Sequence, residues 1–217
     1  MNTAPSPYGG LHVLADDDPR WRHDPVEQAR QACAGGAQVV QLRAKHATDA
    51  QIVDWGRSIR ALTREAGARF TLNDRFDLAL LTDADAVHLG QGDLPPSALP
   101  AEARARLAVG RSTHNAVQAR DAKREGVDYL AFGPLFGTSS KSTPYTERGL
   151  DALREVVAIA EGCPVVAIGG IEASNAATVA SAGAAGIAVI SAVVAADEMA
   201  DAARGLAQAF TQVSNHE

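Results

Sequence analysis

The sequence has few cysteines and no long apolar run. Its 217 residues include two cysteines, Cys33 and Cys163, which lie far apart and match no metal-binding or redox spacing. We interpret both as small buried hydrophobic residues in a reducing compartment. No stretch approaches the ~18 apolar residues that a membrane helix requires, and residues 1–10 lack the basic and apolar segments of a secretory signal. A cytoplasmic protein without membrane association is therefore predicted.

Positive charge and aromatic residues are also scarce. The formal net charge is −6, and aromatic residues make up 5% of the chain with no stacking pattern for nucleic acid. Nucleic acid and anionic membrane surfaces are therefore not expected as partners. Any anionic substrate would need a local cationic pocket or a metal ion. The sequence leaves monomer and homodimer open.

Short β-rich runs alternate with helical segments along the whole chain. The predicted strands span residues 10–15, 38–44, 69–73, 86–90, 107–112, 128–133, 164–170 and 186–192. This alternation indicates βαβ units and a parallel sheet. Eight units without a break in composition favour a closed (β/α)8 barrel over an open doubly wound sheet. We therefore predict a flexible leader over residues 1–9 and a single α/β TIM-barrel domain over residues 10–217.

The end of the second predicted strand, VVQLRAK, carries polar residues on one face. Strand side chains alternate between faces, so Gln41, Arg43 and Lys45 share one side while Leu42 and Ala44 share the other. Active sites of such barrels lie at the C-terminal ends of the strands. Two cations there predict an anion-binding site. The alternative is that both side chains extend from the strand end into solvent.

Two carboxylates follow neighbouring strands. Asp74 comes after the third predicted strand and Asp93 after the fourth, and neighbouring strands lie ~4.8 Å apart. The two residues could share one Mg²⁺, which typically takes one or two protein carboxylates and completes its shell with water and substrate phosphates. For either residue alone, a helix cap or a turn is the alternative.

Two segments have the composition of phosphate-binding loops. Gly169 and Gly170, followed after the eighth strand by Ser191, resemble the phosphate site that many such barrels build there. The segment 133–143 combines glycines with hydroxyl and ammonium groups. Its candidate ligands are Thr138, Ser139, Ser140 and Lys141. A serine-rich surface loop without a ligand remains the alternative for this segment.

The histidines give weaker signals. His114 follows the fifth strand, and we interpret it as a hydrogen-bonded structural residue in preference to an acid–base group. The sequence shows no recognisable pairing for His12, His23, His46 or His88.

Seven segments occur together and in order: VVQLRAK, LNDRFDLAL, AVHLGQGDLP, GRSTHNAVQARDA, DYLAFGPLFGTSSK, AIGGI and VISA. Together they resemble the thiamine-phosphate synthase family, over about residues 11–194. The resemblance implies a transferase that couples hydroxymethylpyrimidine diphosphate with a thiazole phosphate and releases thiamine phosphate and pyrophosphate. It also implies that the pyrimidine substrate ionises with loss of pyrophosphate before the thiazole nitrogen attacks.

The resemblance further implies a role for each matching residue. Asp74 and Asp93 would hold Mg²⁺ against the leaving diphosphate. The catalytic residues would be Lys141, Arg43, Lys45 and Ser112. The pyrimidine diphosphate would contact Gln41, Leu42, Arg43, Ala44, Lys45, Asn73, Ser112 and Lys141. The thiazole phosphate would contact Thr138, Ser139, Ser140, Gly170, Ile190 and Ser191.

The chain departs from the family pattern in two places. The first strand continues as LHVLADDDPRW, where the family usually has a Tyr-x-(Ile/Val)-Thr-Asp ending, so no role is carried over there. Gly137 precedes Thr138 where many members have proline, which predicts a more flexible loop.

Two other functions compete with the synthase. One is a thiazole tautomerase of the same fold, which makes no C–N bond and needs no metal; the other is a catalytically silent barrel that binds thiamine intermediates. The presence of Arg43, Lys45, Asp74, Asp93 and Lys141 favours the synthase. The form of the thiazole phosphate, the rate-limiting step and the order of the 134–143 loop without ligand stay open.

Overall fold

A computed structural model describes residues 6–137 and 146–211 as a closed parallel barrel. Within those residues eight strands follow one another around the barrel in chain order, and the first pairs with the eighth. The predicted (β/α)8 architecture is therefore confirmed, and the open doubly wound sheet is excluded. The strands are β1 (Gly10–Asp16), β2 (Val39–Arg43), β3 (Arg69–Asn73), β4 (Ala86–Leu89), β5 (Ala108–Thr113), β6 (Tyr129–Phe132), β7 (Val165–Ile168) and β8 (Gly186–Val189).

Helices cover the outside of the barrel. In the described part of the chain they are α1 (Pro25–Ala34), α2 (Asp49–Ala66), α3 (Phe76–Leu81), α4 (Ala101–Arg106), α5 (Ala116–Arg124), α6 (Gly149–Ala160), α7 (Ala173–Ser181), α8 (Ser191–Val194) and α9 (Met199–Thr211), with a short 3-10 helix at Pro96–Ala98. The longest, α2, begins with a capping box between Thr48 and Gln51 and ends at Gly67, whose φ is 69°. None of these helices has the length and apolar character needed to cross a membrane.

Strand alternation divides the core into two layers. On β2, Val40 and Leu42 pack outward against the helices, whereas Val39 packs inward with Leu14 and Tyr129. Gln41 also faces inward, because it lines the cavity at the open end of the barrel. The predicted two faces of this strand are confirmed.

A tyrosine pair fills the N-terminal end of the barrel. Tyr8 is 7% exposed, and its ring stacks on that of Tyr129 with centroids 5.0 Å apart. Two residues after Tyr8, the Gly10 N–H donates a hydrogen bond to the Ala185 carbonyl at 2.9 Å. Tyr8 and Gly9 thus pack with the barrel, although they fall in the predicted leader; residues 1–5 lie outside the described residues.

The two cysteines pack less deeply than the sequence predicted. Both are free thiols of intermediate exposure, placed against the outer core layer. Burial raises the pKa of the Cys33 thiol to about 11 and also raises that of Cys163. Both thiols are therefore protonated at neutral pH.

His12 makes the stability of this fold depend on pH. Its side chain is 1% exposed, its Nε2 lies 3.0 Å from the Tyr8 carbonyl, and its ring meets that of Tyr129 edge-on. Burial lowers the pKa of His12 to about 4 from 6.5. Because the unfolded chain binds the proton more tightly, the free energy of unfolding should fall by about 3 kcal/mol as the pH drops from 6.5 to 4.

Urea denaturation at several pH values checks this prediction. His12→Gln keeps an amide N–H for the Tyr8 carbonyl but does not titrate, so its stability should change less steeply over this pH range. Equal slopes in both proteins would contradict the assignment.

Candidate active site

A cavity of about 220 Å³ opens at the C-terminal ends of the strands. It brings together several residues that the sequence predicted to contact the substrates. They are Gln41, Ser112, Gly170, Ile190 and Ser191. Its deeper wall is formed by His12, His88 and Tyr129. Residues from β1, β2, β4 and β5 thus share one chamber with the ends of β7 and β8.

The cations at the end of β2 are paired with carboxylates. Arg43 forms an ion pair with Asp16, and Lys45 forms one with Asp74. The sequence predicted that both cations face an anion but did not identify these partners. Leu42 is fully buried in the outer layer, so a contact from Leu42 to a ligand in the chamber could come only from its backbone. Ala44 is half-buried against the same layer.

Asp16 is a buried carboxylate that the sequence reasoning missed. Its side chain is 0% exposed, beside an Arg43 side chain that is 17% exposed. The Trp21 indole N–H donates to Asp16 Oδ1 at 2.9 Å, and the Asp18 N–H donates to the same oxygen at 3.0 Å. The Gln28 side chain bonds the Asp16 backbone N–H and carbonyl at 2.8 and 3.0 Å. Arg43 therefore meets a carboxylate that is itself held in place.

Asp17 holds the backbone that follows β2. Its Oδ1 accepts the Lys45 N–H at 2.8 Å, and its Oδ2 accepts the N–H groups of His46 and Ala47 at 2.8 Å each. The acidic run after β1, where the chain departs from the family pattern, thus orients the cationic end of β2. A run of three aspartates is usually a solvated loop, so only the spatial contacts identify this role.

Asp74 and Asp93 lie side by side, as the strand order predicted. Their side chains are close enough for each to shift the pKa of the other. Asp74 has a φ of 65°, and its N–H donates to the His88 carbonyl at 2.7 Å. Asp93 Oδ2 accepts the Gly90 N–H at 2.6 Å. Asn73, the last residue of β3, is half-buried next to this pair.

The two carboxylates differ in acidity. Burial raises the pKa of Asp74, but the Lys45 ammonium and the neighbouring Asp93 side chain outweigh it, so the net pKa is lowered. Burial and the nearby Asp74 both raise the pKa of Asp93. Adjacent carboxylates resist double ionisation unless a proton or a cation lies between them. The pair therefore suits one divalent cation with oxygen ligands; no cluster of three or more such ligands occurs among the residues described.

A hydrogen-bonded chain runs from the cavity wall into the barrel. Ser112 Oγ lies 2.9 Å from His88 Nε2, and His88 Nδ1 lies 3.0 Å from the Tyr129 hydroxyl. Burial raises the pKa of Tyr129, so it is a neutral hydroxyl. The Ser112 carbonyl accepts the Gln91 amide at 2.6 Å. The sequence found no partner for His88, and the structure corrects that interpretation.

The ends of β7 and β8 form the opposite wall. Gly169 and Gly170 have φ values of 102° and 65°, a conformation that favours glycine. A Cβ on Gly170 would lie 2.5 Å from the Gly137 carbonyl oxygen, so this residue must be small. Ile190 and Ser191 line the same chamber. The predicted ligands Thr138, Ser139, Ser140 and Lys141 lie outside the described residues.

His114 is positioned by hydrogen bonds, as the sequence indicated. Its Nδ1 contacts the Gly133 carbonyl, and its N–H donates to Gln118 Oε1 at 2.8 Å. The residue also lines the chamber.

The family model and the curated relatives indicate the same family. The family model described as thiamine monophosphate synthase matches residues 11–193. A thiamine-phosphate synthase of Chloroflexus aurantiacus is 49% identical over 178 residues, 81% of this chain and 80% of the relative. One of Moorella thermoacetica is 44% identical over 187 residues, 86% of this chain and 89% of the relative.

A solved structure gives the same result. The thiamine phosphate pyrophosphorylase of Pyrococcus furiosus superposes with a TM-score of 0.82 at 38% identity, covering 94% of this chain and 96% of that one. The range that the family model matches includes the carboxylate pair and both walls of the chamber. The chain therefore belongs to the thiamine monophosphate synthase family of transferases.

Proposed function

We propose that this protein is a thiamine-phosphate synthase, which couples hydroxymethylpyrimidine diphosphate with a thiazole phosphate and releases pyrophosphate. The main support is a chamber with a polar inner wall that opens at the end of the barrel where the cationic end of β2 and the carboxylate pair also lie, outside the cavity lining itself, within a chain of this family. This arrangement suits a substrate that is a neutral ring at one end and a diphosphate at the other.

The pyrimidine ring would lie against the inner wall. Gln41 and Ser112 offer hydrogen bonds to its polar edge, and Leu14 offers an apolar surface nearby. The thiazole phosphate would lie across the chamber, at Gly170, Ile190 and Ser191, with Thr138, Ser139 and Ser140 completing its site. Holding two substrates at reacting distance supplies much of the rate of such a reaction.

The diphosphate would lie between the end of β2 and the carboxylate pair. Lys45 contacts Asp74, which supports a position of its ammonium beside both the diphosphate and the cation. Asp74 and Asp93 would hold Mg²⁺, which would supply positive charge against the diphosphate. Arg43, Lys45 and Lys141 would stabilise the charge that builds on the leaving oxygens. Asn73 would contact the same group.

Ionisation of the pyrimidine substrate before attack requires no side-chain nucleophile. His12 and Tyr129 are each 1% exposed, so the side of the ring that lay against them would be shielded from bulk water. Since water competes with the thiazole nitrogen for a cationic carbon, exclusion of water affects product yield as well as rate.

An assay with both substrates tests the function and its metal requirement together. We expect thiamine phosphate and pyrophosphate in equal amounts with Mg²⁺, and neither with excess EDTA. Restoring Mg²⁺ to the EDTA sample should restore both products, which controls for inactivation. Product formation at the same rate in EDTA would contradict the metal assignment. Folded protein that forms no product in either condition would contradict the synthase and favour the tautomerase or the silent binder.

A further inference from the structure

We propose that His88 and Tyr129 are positioning residues that act through Ser112, fixing the direction of its hydroxyl against the pyrimidine ring. This inference rests on the proposed function. It assigns a role in substrate recognition to two residues of the chamber's deeper wall, one of them at the very start of β6.

The chain of contacts is continuous. Ser112 Oγ lies 2.9 Å from His88 Nε2, and His88 Nδ1 lies 3.0 Å from the Tyr129 hydroxyl. Both imidazole nitrogens of His88 are therefore engaged by hydroxyl groups of the protein. The His88 side chain is buried, with 6% of the residue exposed.

The far end of the chain is anchored on three sides. The Tyr8 ring stacks on Tyr129 at 5.0 Å with an interplanar angle of 16°, and the His12 ring meets it edge-on at 5.8 Å. A Cβ on Gly110 would lie 2.1 Å from Tyr129 Cζ, so the backbone of β5 abuts the tip of the ring. The Tyr129 hydroxyl therefore has little freedom to move.

The donor and acceptor roles of these three side chains depend on one another. A neutral imidazole has one donor and one acceptor, and each hydroxyl has one proton. If Tyr129 donates to Nδ1, then Nε2–H donates to Ser112, and the Ser112 proton is free to point at the ligand. In the opposite arrangement Ser112 donates to Nε2 and presents only lone pairs to the ligand. Reversing the Ser112 hydroxyl while keeping both imidazole nitrogens paired therefore requires the opposite tautomer of His88 and a reversed bond to Tyr129.

This coupling distinguishes the chain from buried hydrogen bonds that only stabilise the fold. A merely structural role would lower the unfolding temperature and leave substrate recognition unchanged. A positioning role requires that the effect on the pyrimidine substrate disappear once the Ser112 hydroxyl is removed.

A double-mutant cycle tests the proposal. Tyr129→Phe keeps the ring and removes the hydroxyl. We expect kcat/KM for the pyrimidine diphosphate to fall about tenfold, which corresponds to the free energy of about one hydrogen bond. In a Ser112→Ala background the same change should alter kcat/KM less than twofold. KM for the thiazole phosphate should stay the same in every variant. His88→Gln interrupts the chain at its middle and tests it independently of Tyr129.

Tyr8→Phe is the matched control. It also removes a hydroxyl from the tyrosine stack, but that hydroxyl contacts the Asp85 carbonyl at 3.4 Å instead of His88, so kcat/KM should be unchanged. Equal losses from Tyr129→Phe and His88→Gln with and without Ser112 would overturn the proposal. A wild-type protein that forms no thiamine phosphate would overturn the proposed function and this inference with it, whereas an active wild type with additive variants would overturn only the inference.

Discussion

Asp93→Asn is expected to lower kcat by about 10²–10³-fold at a fixed Mg²⁺ concentration, the range seen when one preorganised electrostatic contact to a transition state is lost. The amide keeps an oxygen that can accept the Gly90 N–H but removes one of the two charges that would hold the cation. The loss should shrink as Mg²⁺ is raised, because a weakened cation site is partly refilled by mass action. A Mg²⁺ titration of the initial rate measures both effects.

The same change should leave the fold at least as stable in EDTA. Asp74 and the buried setting of Asp93 both oppose its ionisation, so neutralising it removes an unfavourable interaction in the metal-free protein. Asp77→Ala provides a control three residues after Asp74, because Asp77 pairs with Arg75 at the surface; its kcat and Mg²⁺ requirement should match the wild type. An Asp93→Asn enzyme with a wild-type Mg²⁺ curve would rule out Asp93 as a ligand.

Asp16→Asn is expected to reduce the free energy of unfolding by about 3 kcal/mol, because removing one partner of a buried ion pair leaves the other charge uncompensated. The amide oxygen can still accept the Trp21 and Asp18 hydrogen bonds, so the variant isolates the charge. The activity should fall too, since Arg43 loses the group that directs its guanidinium. Urea denaturation measures the first effect, and kcat/KM for the pyrimidine diphosphate measures the second.

Asp18→Asn is the control for this variant. Asp18 belongs to the same acidic run but pairs with Arg20 at the surface, where an ion pair contributes about 0–1 kcal/mol. A cycle with Arg43→Met adds a sharper test: once Arg43 is neutral, Asp16→Asn should have a much smaller effect on stability. Equal effects in both backgrounds would show that Asp16 acts without Arg43.

The barrel and part of the site could be predicted from sequence because they follow from local rules. Alternation along a strand separates Val40 and Leu42 from Val39 and Gln41, and repeated βαβ units imply a parallel sheet. Parallel strands end at one edge of the sheet, so the sequence order alone predicts that Asp74 and Asp93 lie together.

The remaining contacts join residues that are far apart in the sequence, so local sequence patterns do not predict them. Asp16 is 27 residues from Arg43, and His88 is 41 residues from Tyr129. The alternation of side chains along a strand shows which of them point into the barrel, but it does not show which side chains they contact there. That choice depends on the stagger of the strands and on the space left by small residues such as Gly110.

The stack of Tyr8 on Tyr129 closes the chamber toward the N-terminal end of the barrel, and the chamber opens at the C-terminal ends of the strands. In a chamber of this shape, the depth of each binding position affects the order in which ligands bind and leave. In the proposed arrangement, the pyrimidine substrate against Tyr129 would lie deeper than the thiazole phosphate at Gly170 and Ser191 and would therefore enter before it. Under the proposed function, the shape of the chamber therefore predicts ordered binding, with the pyrimidine diphosphate first and the thiazole phosphate second.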